Sequence, residues 1–400
     1  MREHGVEELA EDVQDKLTRL YGSPRGRFLS GPHGSTHFVV EEPTTEHGSK
    51  LKVAVLSHGI GASLAAWDGD GDGASESVVG ALRASGHTVV RYDFLGHGWS
   101  VAKSRWLRQD SEVFLSQLQD VLDHVFSSST ATGQVPCLEV ETFVGHSTGG
   151  LVGILACERL RDRFPIRNLV LVAPALWKQA PLIVRISDQI PDTMWSLASG
   201  PLRELHLPGS AYLENTDAAF GKNEEGSYMY PDKHRQSVAA AQKMLALHPQ
   251  VEAALLGVAN FFLVESNLQI CRQAFASLAA RATHPHHILL MWGSLDVVVP
   301  YKAHHAEALA MAPPGRVCLH TLQGLGHEAI IESPTAVVQG LSAFLRELQL
   351  GDAGVAAART ADVLKAWREG RVGKRQAAAL LLKRFRSKLL GAGTQRVGGG

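Results

Sequence analysis

The sequence contains few cysteines, and none of them lies close to another. A chain of 400 residues has only four, without a CxxC pair: Cys137, Cys157, Cys271 and Cys318. Disulfide-stapled domains and zinc sites need denser or closely paired cysteines. We therefore predict reduced thiols in the core, with neither a disulfide framework nor a zinc site.

Long apolar runs are also missing. The nearest, AALLGVANFFLV at residues 253–264, contains Asn260 and is shorter than the ~18 residues that cross a bilayer. The amino-terminal MREHGVEELAEDVQDKL has no apolar segment of the kind found in secretory signals. The net charge is −1, whereas nucleic-acid-binding proteins are usually strongly basic. These absences predict a cytoplasmic protein that does not bind nucleic acid.

The small net charge conceals an uneven distribution. Residues 351–400 hold 11 Lys and Arg against 3 Asp and Glu, a net charge of +8, so residues 1–350 carry −9. Segment 374–390 places apolar side chains at helical spacing among lysines and arginines. Such a helix suits an anionic membrane surface, so peripheral membrane contact is one prediction. The alternatives are a helix docked on the acidic body and a partly disordered tail.

Short apolar runs alternate with segments of helical periodicity over most of the chain. The runs are HFVVEEP, KVAVLSHG, HTVVRYDF, CLEVETFVGH, RNLVLVAPA, HHILLMWGSLD and RVCLHTLQGLGH. This alternation predicts an α/β fold with a mostly parallel sheet and helices on both faces. The predicted divisions are an N-terminal extension (1–34), the first part of the core (35–175), a helical lid (176–285), the second part of the core (286–349) and a basic tail (350–400).

The stretch VGHSTGGL, residues 144–151, joins a β-rich run to a helical one. It fits the G-x-S-x-G pattern in the strand–turn–helix context that marks a nucleophile. A serine oxygen held above a sheet requires a strained backbone and small neighbours, here Gly145 and Gly149. Ser147 is therefore predicted to be the nucleophile, and the alternative is an ordinary serine in a glycine-rich loop.

A serine nucleophile needs a base, and the base needs an acid to orient it. Asp296 directly follows an apolar run in MWGSLDVVVP, and His327 follows the next run in GLGHEAIIESP. Taken separately, Asp296 would be a turn or N-cap residue and His327 one of nineteen histidines. Their positions at consecutive strand ends, in the order Ser–Asp–His, predict a catalytic triad with Ser147.

Backbone N–H donors are needed where negative charge develops during acyl transfer. We predict one at Thr148, directly after the nucleophile, and the other at Ile60 in the loop SHGIGAS, residues 57–63. Other residues are predicted to hold turns or to let backbone approach the substrate without reacting themselves. These site-shaping residues are His58, Gly59, Gly61, Gly145, His146 and Gly149.

Two segments have a superficial likeness to metal sites. DGDGDG, residues 68–73, resembles the start of a calcium loop, but the EF-hand pattern requires a glutamate where the chain has Val79. The histidines of THPHH, residues 283–287, would point to opposite faces of a strand. We predict no metal and no cofactor. Asp68, Asp70 and Asp72 are predicted to form a solvated surface loop, with weak calcium binding as the alternative.

These motifs together resemble the α/β-hydrolase superfamily. The resemblance spans about residues 35–348 and rests on HGIGAS, DFLGHGWS, GHSTGG, WGSLDVVVP and GHEAIIESP. It is closest to the lidded branch of esterases and monoacylglycerol lipase-like enzymes. It implies the α/β-hydrolase fold with a helical lid, and a structural turn over Asp93–Ser100. Because position 147 is serine, the resemblance excludes the aspartate nucleophile of epoxide hydrolases and implies an acyl-serine intermediate.

The resemblance leaves the substrate open. The first hypothesis is a carboxylesterase or acylglycerol lipase-like enzyme acting on a hydrophobic acyl or lipid ester, with residues 253–264 either lining an acyl pocket or forming lid core. A proline-iminopeptidase-like enzyme would need carboxylates for a substrate amino group, such as Glu224 and Glu225. A carbon–carbon bond hydrolase would use the same triad. A ligand-binding protein without turnover is the last alternative.

Overall fold

The computed structural model describes residues 2–5, 9–44, 52–69, 76–104, 109–130, 139–177, 207–262, 264–281, 285–313 and 316–348. In this part of the chain ten strands form one sheet. They are Arg2–His4 (β1), Arg27–Ser30 (β2), Gly34–Glu41 (β3), Val53–Ser57 (β4), Thr88–Tyr92 (β5), Val101–Ala102 (β6), Val140–His146 (β7), Ile166–Val172 (β8), His287–Gly293 (β9) and Val317–Leu322 (β10).

The sheet has the strand order β1-β2-β3-β5-β4-β7-β8-β9-β10, and β6 pairs with β3. Along the sheet from β5 through β4, β7, β8 and β9 to β10, every neighbouring pair is parallel. The pairs that involve β1, β2, β3 and β6 are antiparallel. All five residues of β4 are buried, as expected for an apolar strand covered on both faces. The predicted α/β fold, with a mostly parallel sheet and helices on both faces, is confirmed.

The helices between and after these strands supply the cover. They are Glu11–Tyr21 (α1), Val78–Ala84 (α2), Ser111–Thr130 (α3), Thr148–Arg159 (α4), Leu207–Ala218 (α5), Pro231–Leu247 (α6), Val251–Phe262 (α7), Glu265–Ala280 (α8), Tyr301–Ala310 (α9) and Ala329–Glu332 (α10), with 3₁₀ turns at Leu64–Trp67 and Ala175–Trp177. Residues 334–348 are also helical. Residues 1–341 form one compact unit, and residues 342–400 are assigned to a second.

Helix α4 lies in the middle of the core. Every residue from Thr148 to Cys157 is buried, and the helix packs on β4, β7 and β8 and against helices α3 and α8. A helix that is apolar on all sides must be covered by neighbours on all sides. The run LVGILAC has no polar side chain, so it can be buried in this way. The burial of α4 fixes the position of its first residue and therefore of the turn that precedes it.

The N-terminal segment predicted as an extension takes part in the sheet. Strand β2 pairs with both β1 and β3, and helix α1 packs Leu17 against Phe28 and Trp99. Strands of three and four residues are too short for an alternating pattern to be recognised in a sequence. This is why the sequence predicts β3, β4, β5 and β7 to β10, but neither β1 and β2 nor the two-residue strand β6.

Four helices, α5 to α8, occupy the described residues between β8 and β9, in the segment that the sequence predicts to be helical. Their action as a lid stays a prediction, and residues 178–206 lie outside the described residues. The basic tail 350–400, with the segment 374–390 predicted to contact membranes, also lies outside them. In the described part of the chain, no helix has the length and apolar character needed to cross a membrane.

Two of the four cysteines are buried as predicted. Burial raises the pKa of Cys271 to about 12, and it raises the pKa of Cys157 still further, so both remain thiols. The prediction is wrong for Cys318, which is exposed on β10 because that strand is the last of the sheet. Cys137 lies outside the described residues.

Candidate active site

Ser147 stands between the end of β7 and the start of α4. Its φ of 51° and ψ of −114° lie in a region that residues with a side chain rarely occupy. The Ser147 N–H donates to the carbonyl of Val172 at 2.9 Å, and the Ser147 carbonyl accepts from the Ala175 N–H at 3.2 Å. Hydrogen bonds to β8 and the segment after it therefore hold the serine in a strained turn.

Glycines surround this turn because backbone atoms approach too closely for a side chain. A Cβ atom at Gly145 would lie 2.3 Å from the carbonyl oxygen of Gly149. A Cβ atom at Gly149 would lie 2.1 Å from the carbonyl oxygen of Ser57. The two glycines let the strands β4 and β7 and the helix α4 converge on Ser147.

Replacement of Gly149 by alanine is expected to destabilise the protein by about 1–3 kcal/mol, the usual effect of forcing a methyl group into filled space. The obstacle is the backbone of Ser57, which cannot rotate away as a side chain would. Urea unfolding measures the change. In the control Gly209→Ala, the added Cβ meets only the side chains of Glu252 and Leu245. Equal stability of the two variants would contradict this account.

The imidazole of His327 joins Ser147 to Asp296. The His327 Nε2 lies 3.0 Å from the Ser147 Oγ, and the His327 Nδ1 lies 2.9 Å from the Asp296 Oδ2. The exposed fractions of Ser147, Asp296 and His327 are 3%, 4% and 2%. Asp296 follows β9 and His327 follows β10, so the three predicted side chains meet at the carboxyl ends of parallel strands.

The two oxygens of the Asp296 carboxylate have different partners. Its Oδ1 accepts from the N–H groups of Val298 and Val299 at 2.9 and 2.8 Å. Its Oδ2 faces His327 and also accepts from the indole Nε1 of Trp292 at 3.1 Å. Asp296 is thus both a turn residue and the partner of the histidine. Trp292 was not among the predicted site residues, although it lies only four residues before Asp296 in the sequence.

The loop after β4 lies directly against the serine. A Cβ atom at Gly59 would be 3.2 Å from the Ser147 Cβ. Among the described residues, the N–H of Ile60 donates to no backbone carbonyl. Thr148 is the first residue of helix α4, and the first N–H groups of a helix have no hydrogen-bond partner within it. Neither N–H has a backbone acceptor in the described residues, and their action as oxyanion donors stays a prediction.

Helix α5 reaches this loop through Tyr212, a residue that the sequence analysis missed. The Tyr212 hydroxyl donates to the carbonyl of Gly61 at 3.0 Å. Gly61 has a φ of +75°, and a Cβ atom there would lie 2.2 Å from the tyrosine ring. Glycine is required at this position both for its conformation and for the approach of the ring.

His58 and His146 are buried and hold backbone segments together. The His58 Nε2 accepts from the N–H of Phe94 at 3.0 Å, and its Nδ1 lies 2.7 Å from the carbonyl of Gly59. The His146 Nε2 lies 3.0 Å from the carbonyl of His327. Burial is the main cause that lowers the pKa of His58 and of His146. Neutral rings that bond to backbone fit the predicted site-shaping role.

The turn Asp93–Ser100 is organised around the buried carboxylate of Asp93. This carboxylate accepts from the N–H groups of Leu64 and Trp99 at 2.7 and 2.9 Å and lies 2.8 Å from the Nδ1 of His37. The contacts with His37 and the Leu64 N–H lower the pKa of Asp93 against the opposing effect of burial. The carboxylate thus ties the turn after β5 to the segment that follows the loop of Ile60.

The segments with a likeness to metal sites have other partners where they are described. Asp68 forms an ion pair with the buried Arg91, while Asp70 and Asp72 lie outside the described residues. Within the described ranges, no group of three or more His, Cys, Asp or Glu is placed to hold a metal ion. Glu224 and Glu225, the candidate carboxylates for binding a substrate amino group, are exposed on a turn.

Comparison with known proteins agrees with this architecture. The model of the alpha/beta hydrolase family matches residues 54–340, and no curated protein matches the chain. An enol-lactonase from Burkholderia xenovorans superposes with a TM-score of 0.55 at 18% identity, covering 80% of this chain and 100% of that one. A thermophilic esterase from Thermogutta terrifontis superposes with a TM-score of 0.53 at 17% identity, covering 80% of this chain and 96% of that one. A bromoperoxidase from Bacillus anthracis superposes with a TM-score of 0.53 at 18% identity, covering 78% of this chain and 96% of that one.

At such identities the solved structures show the likeness of fold, while the family model extends over well more than half of the chain. The matched range begins in β4 and includes the serine turn and the ends of β9 and β10. This chain belongs to the α/β-hydrolase family.

Proposed function

We propose that the protein is a serine hydrolase that cleaves a carboxylic ester through an acyl-serine intermediate. The observation that carries the proposal is the buried hydrogen-bonded series Ser147–His327–Asp296. His327 accepts the proton of the Ser147 hydroxyl at Nε2 as the serine oxygen attacks the ester carbonyl carbon, and Asp296 accepts from the Nδ1–H and so keeps Nε2 directed at the serine.

Both halves of the reaction pass through the same histidine. After Ser147 attacks, protonated His327 donates its proton to the leaving alcohol, and the ester C–O bond breaks to give the acyl-serine. His327 then takes a proton from water, whose oxygen attacks the acyl carbon; the bond from that carbon to the Ser147 Oγ breaks, His327 returns the proton to the Oγ, and the carboxylic acid is released. The N–H groups of Ile60 and Thr148 are the proposed donors to the oxyanion in both steps.

The apolar surroundings of the Ile60 side chain favour an ester with a hydrophobic acyl group. This side chain packs against a buried cluster of Met244, Val251 and Leu255, which come from α6 and α7. The residue proposed to bind the carbonyl oxygen therefore also contacts apolar side chains of the predicted lid. An acyl chain that extends from the carbonyl along these residues would be removed from water.

A chain-length series of p-nitrophenyl and monoacylglycerol esters tests this substrate class. We expect kcat/KM to rise with acyl length by up to about 4-fold per methylene, since burial of one CH₂ contributes about 0.8 kcal/mol. Rates that are flat or that fall with length would remove the hydrophobic assignment. Labelling of Ser147 by a fluorophosphonate without ester turnover would instead favour a peptidase or a carbon–carbon bond hydrolase.

A further inference from the structure

A second buried carboxylate lies next to the site, in helix α10. Glu332 is 2% exposed, and each of its side-chain oxygens accepts a backbone hydrogen bond. The Oε1 accepts from the N–H of Gly326 at 2.8 Å, and the Oε2 accepts from the N–H of Gly221 at 3.1 Å. One side chain therefore joins two segments that are more than a hundred residues apart in the sequence.

These two segments are the histidine loop, residues 323–328, and the foot of α5, residues 219–221. Gly326 directly precedes His327. The carbonyl of Ala219 accepts from the N–H groups of His327 and Glu328 at 2.7 and 3.2 Å. A Cβ atom at Gly326 would lie 2.4 Å from the Gly221 nitrogen, so only glycine lets the segments approach. The backbone of His327 thus rests on the chain that leaves α5.

The carboxylate of Glu332 costs folding stability at neutral and alkaline pH. Burial is the main cause that raises its pKa to about 7, Glu328 and Asp296 add to the effect, and the two N–H donors oppose it. A carboxyl group whose pKa rises on folding stabilises the fold below its unfolded pKa, and this contribution disappears as the pH rises through about 7. An apolar core residue would carry no such cost.

Two further elements pack against the helix of Glu332. Helix α6 contacts α10 and carries His234, whose ring packs on Phe220, together with the charged residues Asp232, Lys233, Arg235 and Lys243. The 3₁₀ turn Leu64–Trp67 also contacts α10 and has no titratable side chain. Glu328 and Asp296 are the charged groups that raise the pKa of Glu332 in addition to its burial.

We infer that Glu332 is a positioning residue for His327, because its carboxylate fixes the histidine loop to the foot of α5 and so links the predicted lid to the triad. The inference rests on the proposed serine hydrolase function. It assigns a reason for retaining a buried carboxylate: ionised Glu332 accepts strongly from both N–H groups, whereas protonation turns one oxygen into a hydroxyl, which is a weaker acceptor for its N–H and needs an acceptor for its own proton.

The test is Glu332→Gln. Glutamine has the same shape, but its amide NH₂ must face one of the two N–H donors. We expect the rate constant for fluorophosphonate labelling and the kcat for p-nitrophenyl acetate to fall about 10- to 100-fold, because small displacements of catalytic groups have effects of this size. The KM should change less than 2-fold. Glu332→Asp keeps the charge but cannot reach both donors, so its rates should lie between those of glutamine and wild type.

The pH profile separates positioning from general weakening of the fold. In wild type, Glu332 becomes protonated as the pH falls through about 7, so the slope of log kcat/KM against pH should be steeper in this range than in the glutamine variant, which lacks this ionisable group. Hydrogen exchange at the Gly326 amide should accelerate in the same variant.

Glu139→Gln is the matched control, because Glu139 is also a buried carboxylate but precedes β7 and pairs with Arg167. Its labelling rate and slope should equal those of wild type. Wild-type rate and slope in Glu332→Gln would overturn the inference and leave the proposed function intact. Absence of labelling and ester turnover in wild type would overturn the proposed function itself. If the glutamine variant does not fold, wild-type rates in Glu332→Asp would overturn the inference.

Discussion

Replacement of Ser147 by alanine is expected to lower kcat for ester hydrolysis by roughly 10⁵- to 10⁶-fold, as loss of a serine nucleophile does elsewhere. Without the hydroxyl, neither an acyl-serine nor a fluorophosphonate adduct can form, because His327 has no oxygen to activate. The residual rate would come from binding and from the backbone donors at Ile60 and Thr148. Turnover of a p-nitrophenyl ester and intact-protein mass after labelling measure the two effects.

The variant should fold as wild type does, because alanine keeps the Cβ atom and the backbone hydrogen bonds of the turn involve no side chain. The control is Ser57→Ala, a buried serine at the end of β4 whose Oγ lies 3.3 Å from the hydroxyl of Tyr92. Its activity should stay within a few-fold of wild type. Retained labelling or turnover in Ser147→Ala would rule out this serine as the nucleophile.

The residues that could be predicted from the sequence are those placed by strands. Ser147, Asp296 and His327 each follow an apolar run closely, and the ends of parallel strands lie at one edge of a sheet. Local order along the chain was therefore enough to predict that they meet. The glycines near Ser147 were predictable for the same reason, because a strand and a helix can turn sharply there only without side chains.

The residues that could not be predicted act on backbone far away in the chain. Tyr212 bonds to the carbonyl of Gly61, and Glu332 bonds to the N–H of Gly221. Each bond joins a side chain to the backbone of a glycine, and the distance along the sequence exceeds a hundred residues in both pairs. Such contacts depend on how the helices after β8 return to the sheet, which no local pattern of residues encodes.

Replacement of Asp296 by asparagine is expected to lower kcat by about 10⁴-fold, the effect of placing an amide against the base of a triad. If the amide oxygen keeps the bonds to Val298 and Val299, the NH₂ group faces His327. The imidazole must then carry its proton on Nε2, where it cannot accept the proton of Ser147. Steady-state kinetics should show the loss in kcat, with KM within a few-fold of wild type.

The matched variant is Trp292→Phe, which leaves a smaller ring and removes the indole N–H that donates to the Asp296 Oδ2 and to the carbonyl of Val299. Phenylalanine can still stack on Trp177, and the bond between Asp296 and His327 remains. We expect less than about a 100-fold loss of kcat, since a hydrogen bond to a charged group contributes about 1.5–3 kcal/mol. If Asp296→Asn were no worse than Trp292→Phe, Asp296 would serve the turn alone. A difference of two or more orders of magnitude would assign the loss to the charge at residue 296 and the tautomer of the histidine, because both variants keep the bonds from the Val298 and Val299 N–H groups to residue 296.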